Sequence, residues 1–124
     1  MPIKESGEMY LETIYVLSQK QSCVRAIDVG ASLGFSKPSV SRAMGLLKTK
    51  HYIDIDASGG ITLTKQGEDI AKSIYERHTT LTAILVSLGV DAKTASDDAC
   101  RMEHYISDTT FKAIKKHLNE HSGE

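Results

Sequence analysis

Cys100, Glu103 and His104 are the residues whose types and spacing are best suited to chemistry. They stand at positions i, i+3 and i+4, so a helix through this stretch presents all three side chains on one face. A thiolate, a carboxylate and an imidazole that converge in this way form half of a transition-metal site. A buried cysteine beside a surface Glu–His pair has the same spacing, and from these residues alone both interpretations stay open.

Three further side chains are candidate metal ligands. Met9 and Glu12 stand at i and i+3 and would lie one helical turn apart, where they could complete the site. A methionine at such a position is more often part of the core than a ligand. His78 adds another imidazole, and its alternative interpretation is a partly buried histidine with a satisfied hydrogen bond.

A second group of residues points to nucleic acid. The net charge is −1, yet every charged residue in the stretch 36–50 is positive. A local basic helix on a neutral chain can supply phosphate contacts, although a solvated lysine-rich face has the same composition. The candidate DNA contacts in this stretch are Ser36, Lys37, Pro38, Ser39, Ser41, Arg42, Lys48 and Lys50.

Those candidates divide by the contact that each side chain can make. Arg42 is the side chain able to form a bidentate contact with guanine, and the short serines suit phosphates or thymine methyl groups. Lys48 and Lys50 lie further along the helix and are expected at backbone phosphates. The predicted wing tip at residues 58–60 contains no Lys or Arg, so a phosphate contact there would depend on backbone amides.

The elements that must position these residues follow from hydrophobic periodicity. Apolar residues at helical spacing predict helices over 7–19, 24–33, 36–50, 65–88 and 91–104, with a last helix after Ser107. Ser36, Asp91 and Ser107 are the expected N-caps, and Gly34 and Gly89 the expected terminators. Alternation over 52–56 and 61–64 around a glycine-rich turn predicts a β-hairpin. The order is that of a winged helix-turn-helix.

The predicted fold is therefore mostly α: a winged helix-turn-helix with a two-stranded wing, followed by an α-helical dimerisation domain. We place the DNA-binding domain at 1–70 and the dimerisation and metal-binding domain at 71–124. The tail holds more apolar surface than so small a monomer could easily bury, which favours a homodimer over a self-contained bundle. The residues concerned are Leu81, Ile84, Leu85, Leu88, Phe111, Ile114 and Leu118.

Composition narrows the class of protein and its location. With 124 residues, 40% hydrophobic and 25% charged, the chain is typical of a globular protein of one or two small domains. It has no run of membrane-spanning length and no secretory segment, so we expect a cytoplasmic protein with no membrane partner. Cys23 and Cys100 are far apart, which suits a reducing compartment.

Three stretches together resemble the diphtheria toxin repressor family, which also contains the manganese transport regulators. They are EMYLETIY at 8–15, SKPSVS at 36–41 and DACRMEHYISD at 98–108. The similarity covers essentially the whole chain in the right order. It implies a homodimer with an N-terminal winged-helix domain and a C-terminal helical dimerisation domain. It also implies divalent iron or manganese as co-repressor of metal-uptake genes.

Carried over residue by residue, the resemblance also assigns ligands. Met9, Cys100, Glu103 and His104 match the primary site of the iron-responsive branch, Glu12 matches a ligand of the manganese-responsive branch, and His78 matches a ligand in both. Thr82 and Ser96 stand where the iron branch has a carboxylate and an imidazole, so we do not expect a complete ancillary site. Thioether and thiolate ligands favour Fe²⁺ over Mn²⁺, while Glu12 favours Mn²⁺.

The predicted function is a metal-dependent DNA-binding repressor of iron or manganese homeostasis genes, bound to double-stranded operator DNA, and not an enzyme. One alternative is a metal-independent winged-helix regulator in which Cys100 is a thiol sensor or a core residue. A small metallo-hydrolase is disfavoured because no phosphate-cradling loop or nucleophile elbow accompanies the ligands. A protein-interaction module would show no salt-dependent affinity for DNA.

Overall fold

The computed structural model describes residues 5–121, and the chain divides into two compact units, Met1–Lys72 and Ser73–Glu124. Within the described residues the elements are helices α1 to α6 and strands β1 and β2. Their bounds are α1 Glu5–Lys20, α2 Ala26–Leu33, α3 Lys37–Thr49, β1 Ile53–Ile55, β2 Ile61–Leu63, α4 Lys65–Ser87, α5 Ala92–Met102 and α6 Asp108–His121. The mostly helical class with one antiparallel hairpin agrees with the sequence prediction.

The core of the first unit is formed by side chains that recur at helical spacing. Leu11 and Ile14 of α1 are fully buried, as is Val29 of α2. From α3, the buried side chains are Val40, Met44 and Leu47. These positions lie on one face of α3, so the opposite face is left to solvent.

The turn between α2 and α3 depends on a glycine and a serine. Gly34 adopts φ 72°, a left-handed conformation that favours glycine, and its N–H donates to Gly30 O at 2.8 Å. Ser36 is the N-cap of α3, because its Oγ accepts the Ser39 N–H at 3.4 Å. The expected cap and terminator are both confirmed, and α3 therefore begins at Lys37.

The wing is a short hairpin closed by one carboxylate. Strands β1 and β2 pair antiparallel with Ile53 opposite Leu63 and Ile55 opposite Ile61. At the tip, Asp56 Oδ1 accepts hydrogen bonds from Ser58 Oγ at 2.7 Å, Gly60 N at 2.8 Å and Ser58 N at 2.9 Å. These bonds hold the pKa of Asp56 below its ordinary value, and the bond from the Ser58 hydroxyl has the largest effect.

The second unit consists of the latter part of α4 with α5 and α6. Leu81, Ala95 and Ala99 are fully buried in it, and Phe111 is buried at the start of α6. Asp91 caps α5 by accepting the Thr94 N–H at 3.0 Å. Ser107 caps α6 by accepting the Thr110 N–H at 3.1 Å, so both predicted N-caps are confirmed.

Candidate metal centre and nucleic-acid interface

Glu103 is the centre of a buried polar cluster in the second unit. It follows directly on α5, and its N–H donates to Ala99 O at 2.9 Å. Its side chain is completely buried, with Oε2 lying 3.0 Å from His78 Nδ1 and Oε1 lying 3.3 Å from His104 Nε2. The fold thus brings His78, Glu103 and His104 together, although His78 is 25 residues away in sequence.

Helix α5 is shorter than the spacing predicted. It ends at Met102 rather than near His104, and both Tyr105 N and Ile106 N donate to Met102 O, at 3.1 and 3.2 Å. Cys100 therefore lies inside the helix and is half-buried, whereas His104 lies in the turn beyond it. A tightened last turn of this kind satisfies helix carbonyls that would otherwise lack donors.

The cluster fits a divalent cation. Glu103 Oε1 is buried and accepts no hydrogen bond from any residue that the structure describes. A buried carboxylate oxygen without a donor is costly, and a cation offsets that cost directly. Carboxylate oxygen and imidazole nitrogen are ligands that first-row divalent ions accept. The unsatisfied oxygen, and not the count of acidic residues, is the observation that favours a metal here.

His78 has polar neighbours on both ring nitrogens. Nδ1 faces Glu103 and Nε2 lies 3.4 Å from Ser96 Oγ. The Thr82 hydroxyl is hydrogen-bonded to the helix backbone, since its Oγ1 donates to His78 O at 2.7 Å. Around His78, the positions of Thr82 and Ser96 thus supply hydroxyl groups, which are weaker metal ligands than carboxylate or imidazole.

Arg77 is a residue that the sequence reasoning missed. Its Nη1 donates to Glu103 O at 3.2 Å and to Ile106 O at 2.7 Å, and its Nη2 pairs with Asp108. Its side chain is only 12% exposed, and the guanidinium lies 5.3 Å from the centroid of the Phe111 ring. Arg77 therefore holds the turn that carries Glu103, and no local pattern could have revealed it, because these partners are at least 26 residues away.

Met9 and Glu12, the other two predicted ligands, belong to the first unit. They lie one turn apart in α1 and are both half-buried. Residues three apart on a helix are neighbours on its surface, so a thioether and a carboxylate are presented side by side. That these two side chains bind metal stays a prediction.

The predicted DNA contacts all lie on the surface of the first unit. Each is exposed: Ser36, Lys37, Pro38, Ser39, Ser41, Arg42, Lys48 and Lys50. Ser36 Oγ also donates to Ser39 Oγ at 2.9 Å, so these two hydroxyls form part of the cap of α3. An exposed, basic helix whose opposite face is buried has the form of a recognition helix.

A guanidinium lies at the tip of the wing, although residues 58–60 contain no Lys or Arg. Arg25, just before α2, donates from Nη1 to Ser58 O at 2.6 Å. The guanidinium therefore lies at the tip beside the backbone amides, and which of these groups contacts a phosphate stays a prediction. Arg25 stands 33 residues before Ser58, so the guanidinium reaches the wing through the fold and not through the local sequence.

Comparison with known proteins decides the family. Residues 3–61 match the iron dependent repressor N-terminal DNA binding domain, and residues 64–122 match the iron dependent repressor metal binding and dimerisation domain. The chain belongs to the iron-dependent repressor family. It is 33% identical over 115 residues to an uncharacterised HTH-type transcriptional regulator of Methanocaldococcus jannaschii, covering 91% of this chain and 92% of that protein. This family consists of DNA-binding transcriptional regulators, not enzymes.

Other relatives and solved structures extend the likeness. Transcriptional regulator MntR of Escherichia coli O157:H7 is 33% identical over 121 residues, which is 98% of this chain and 78% of MntR. The manganese regulator SloR has a TM-score of 0.81 at 28% identity, covering 96% of this chain and 55% of SloR. A manganese-dependent transcriptional repressor has a TM-score of 0.85 at 27% identity, covering 91% and 52%. The chain thus spans about half the length of these two solved relatives. Among residues 5–121, no helix has both the length and the apolar character needed to cross a bilayer.

Proposed function

We propose that this protein is a transcriptional repressor that binds operator DNA through α3 and the wing, with divalent iron or manganese as co-repressor. The observation that carries the proposal is Glu103, a wholly buried carboxylate with one oxygen unsatisfied beside His104 Nε2. Membership of a metal-dependent repressor family supports the same conclusion. We also propose a cytoplasmic location, which the DNA-binding role supports.

Glu103 and His104 are the proposed central ligands, and Cys100, one turn earlier in α5, is proposed as the thiolate ligand. When bound, the ion would neutralise the charge of the buried Glu103 carboxylate and accept the neighbouring His104 imidazole as a ligand. His78 either adds a ligand or orients Glu103 through the hydrogen bond between His78 Nδ1 and Glu103 Oε2. A His78→Gln variant can still donate a hydrogen bond. If it keeps metal affinity where His78→Ala loses it, His78 is a positioning residue.

Met9 and Glu12 are proposed as ligands from the first unit. Because α1 belongs to the unit that carries α3, their participation would link metal occupancy to the DNA-reading part of the chain. The ion would bind more tightly to the arrangement of the chain that binds DNA than to other arrangements. The difference in binding free energy is typically about 1–3 kcal/mol, which is about 5- to 150-fold in affinity. Double substitution of Met9 and Glu12 by Ala should lower both the metal affinity and its effect on operator binding.

The ligand types bear on which ion acts. Mn²⁺ prefers carboxylate, imidazole and water, whereas thiolate and thioether favour softer ions, so Met9 and Cys100 place Fe²⁺ ahead of Mn²⁺. Two solved relatives are named for manganese, which keeps Mn²⁺ as the competing candidate. A Met9→Asp variant should shift the response toward Mn²⁺. If its metal preference is unchanged, Met9 is not a ligand.

We also propose that the active form is a homodimer. Within the second unit, Leu88 is 74% exposed and Val86 is 45% exposed near the end of α4. The family domain that matches residues 64–122 is a dimerisation domain. Pairing with a second copy would cover such apolar side chains and would set two copies of α3 on half-sites about one DNA turn apart. Sedimentation of the full chain should report a dimer, and a Leu88→Glu variant should weaken it.

The deciding experiment measures binding to a DNA fragment selected for affinity to the metal-loaded protein. Fluorescence anisotropy would be recorded with anaerobic Fe²⁺, with Mn²⁺, and with a chelator in place of metal. We expect affinity to rise about 5- to 150-fold with the active ion. Equal affinity with and without metal would overturn metal control and leave the thiol-sensor alternative, which a Cys100→Ser variant tests.

Two glutamate variants provide the matched comparison. Glu103→Gln keeps the shape of the buried side chain but removes the charge, so we expect it to lose the metal response while DNA binding at low salt persists. Glu76→Gln is the control, because Glu76 is an exposed residue of the same unit paired with Lys115 Nζ at 3.1 Å. A Glu103→Gln protein that retains the full metal response would exclude this carboxylate as a ligand.

A further inference from the structure

The last turn of α6 carries a second set of potential metal ligands. His117, Glu120 and His121 stand at i, i+3 and i+4, which is the spacing of Cys100, Glu103 and His104 in the centre already described. In α5 the helix ends before that spacing is completed, whereas α6 remains helical through His121. The three side chains of α6 therefore project from one helical face.

The two histidines already lie together on the surface. Their ring centroids are 4.2 Å apart with an angle of 47° between the ring planes. Both residues are exposed, so an ion reaches them from solvent without any opening of the fold. Side-chain rotation alone is enough to aim one nitrogen from each ring at a common ion.

Glu120 can join them at little cost. Its carboxylate lies 3.9 Å from Lys116 Nζ, a long pair in which both side chains are more than half exposed. Exposed ion pairs of this kind contribute little to stability, so the carboxylate is able to turn away from Lys116. The position at the end of the helix also favours a cation, because the last turn carries the negative end of the helix dipole.

We infer that His117 and His121, with Glu120 as a third ligand, form a peripheral site for a borderline divalent ion such as Zn²⁺ or Ni²⁺. Two imidazoles suit these ions, whereas Mn²⁺ prefers oxygen ligands, and affinity rises from Mn²⁺ through Fe²⁺ to Ni²⁺. The site should therefore bind Zn²⁺ and Ni²⁺ more tightly than the two co-repressors proposed above, and Mn²⁺ most weakly. An ion held across one turn also ties residues i and i+4 together and stabilises the end of α6.

The test counts Zn²⁺ bound to the full chain by equilibrium dialysis. We expect wild type to bind about one more Zn²⁺ per chain than a His117→Gln/His121→Gln variant, since loss of both imidazoles removes the nitrogen ligands. NMR should show the ring protons of His117 and His121 shifting together on titration with Zn²⁺. Equal stoichiometry for both proteins, or rings that do not respond to Zn²⁺, would overturn the site.

The matched control keeps the number of histidines but separates them. In an Asn119→His/His121→Gln variant, the imidazoles stand at i and i+2 and face different sides of the helix. It should bind as little Zn²⁺ as the double glutamine variant, and wild-type binding by it would refute the proposed chelate. Glu120→Gln should weaken Zn²⁺ binding several-fold, and an unchanged affinity would remove Glu120 from the site.

This site is independent of the proposed repressor function, and the experiments keep the two apart. The double glutamine variant should retain the Mn²⁺ or Fe²⁺ response of operator binding in the anisotropy assay. Loss of that response would mean that the two histidines belong to the co-repressor mechanism, which would overturn a separate site. Far-UV circular dichroism should show that each variant keeps its helices.

Discussion

Replacement by alanine should have opposite effects on stability at two helical glycines, Gly45 and Gly67. A Cβ added to Gly45, in the middle of α3, would meet no heavy atom of residues 5–121 within 4 Å. A Cβ added to Gly67, in the first turn of α4, would lie 2.0 Å from Tyr52 O and 3.0 Å from Tyr52 C. Neither glycine is among those with positive φ, so an alanine suits the backbone conformation at both positions.

The magnitudes follow from propensity and packing. Alanine is favoured over glycine in a helix interior by about 0.5–1 kcal/mol, and Gly45→Ala should gain that amount. Gly67 lies in the first turn of α4, where the gain is no larger, and an alanine there forces an approach more than 1 Å shorter than van der Waals contact. The opposing atom is a backbone carbonyl that also accepts the Thr64 N–H at 3.0 Å, so it cannot turn aside. Overpacking costs about 1–3 kcal/mol, so we expect a net destabilisation of about 1–2 kcal/mol.

The assay is thermal unfolding followed by circular dichroism with metal chelated, because a bound ion would raise the Tm by mass action. At about 4 °C per kcal/mol for a chain of this size, Gly45→Ala should raise the Tm by about 2–4 °C. Gly67→Ala should lower it by about 4–8 °C. A Gly67→Ala protein as stable as wild type, or a Gly45→Ala protein less stable than wild type, would refute the reasoning.

The Gly45→Ala variant also reports on DNA binding. Gly45 is exposed on α3, one turn after Arg42, and nothing in the described part of the chain requires a glycine there. If this face enters the major groove, the added methyl group narrows the space between helix and DNA. We expect operator affinity to fall several-fold although the free protein is more stable, and unchanged affinity would place Gly45 away from the DNA.

Three further predictions concern single side chains. Arg42→Ala should cost about 1–3 kcal/mol of operator affinity and relax selectivity at one base pair, measured by competition with single-base operator variants. Lys48→Gln should lower the slope of log affinity against log salt by about 0.9 for every sequence tested, and an unchanged slope would exclude a phosphate contact. Asp56 has its pKa lowered by bonds from the Ser58 hydroxyl and the Gly60 and Ser58 amides, so its contribution to stability is complete above its ordinary pKa of 3.8 and is lost as pH falls through the lower folded value. Urea unfolding between pH 5 and pH 2 should therefore show a smaller acid-induced loss of stability in Asp56→Asn than in wild type.

Most of the secondary structure was readable from the sequence, because its signals act over a few residues. Periodic apolar side chains located the helices, and Ser36, Asp91 and Ser107 cap them within three residues of their own positions. Gly34 ends α2 through its own backbone conformation. The end of α5 was misjudged, because the donors that hold the following turn come partly from Arg77, which the local pattern does not contain.

The candidate metal site likewise has features that the local sequence predicts and features that only the tertiary structure shows. The residue types and the i, i+3, i+4 spacing are sufficient to indicate Glu103 and His104 as candidate ligands. The tertiary structure alone showed that Glu103 is buried, that its Oε2 faces His78 Nδ1, and that Arg77 holds its backbone. It alone brought Arg25 to Ser58 O at the wing tip. Local sequence determines helices, turns and caps because those interactions close within about four residues. Contacts between residues 25 or more apart depend on how the helices pack, which no single segment encodes.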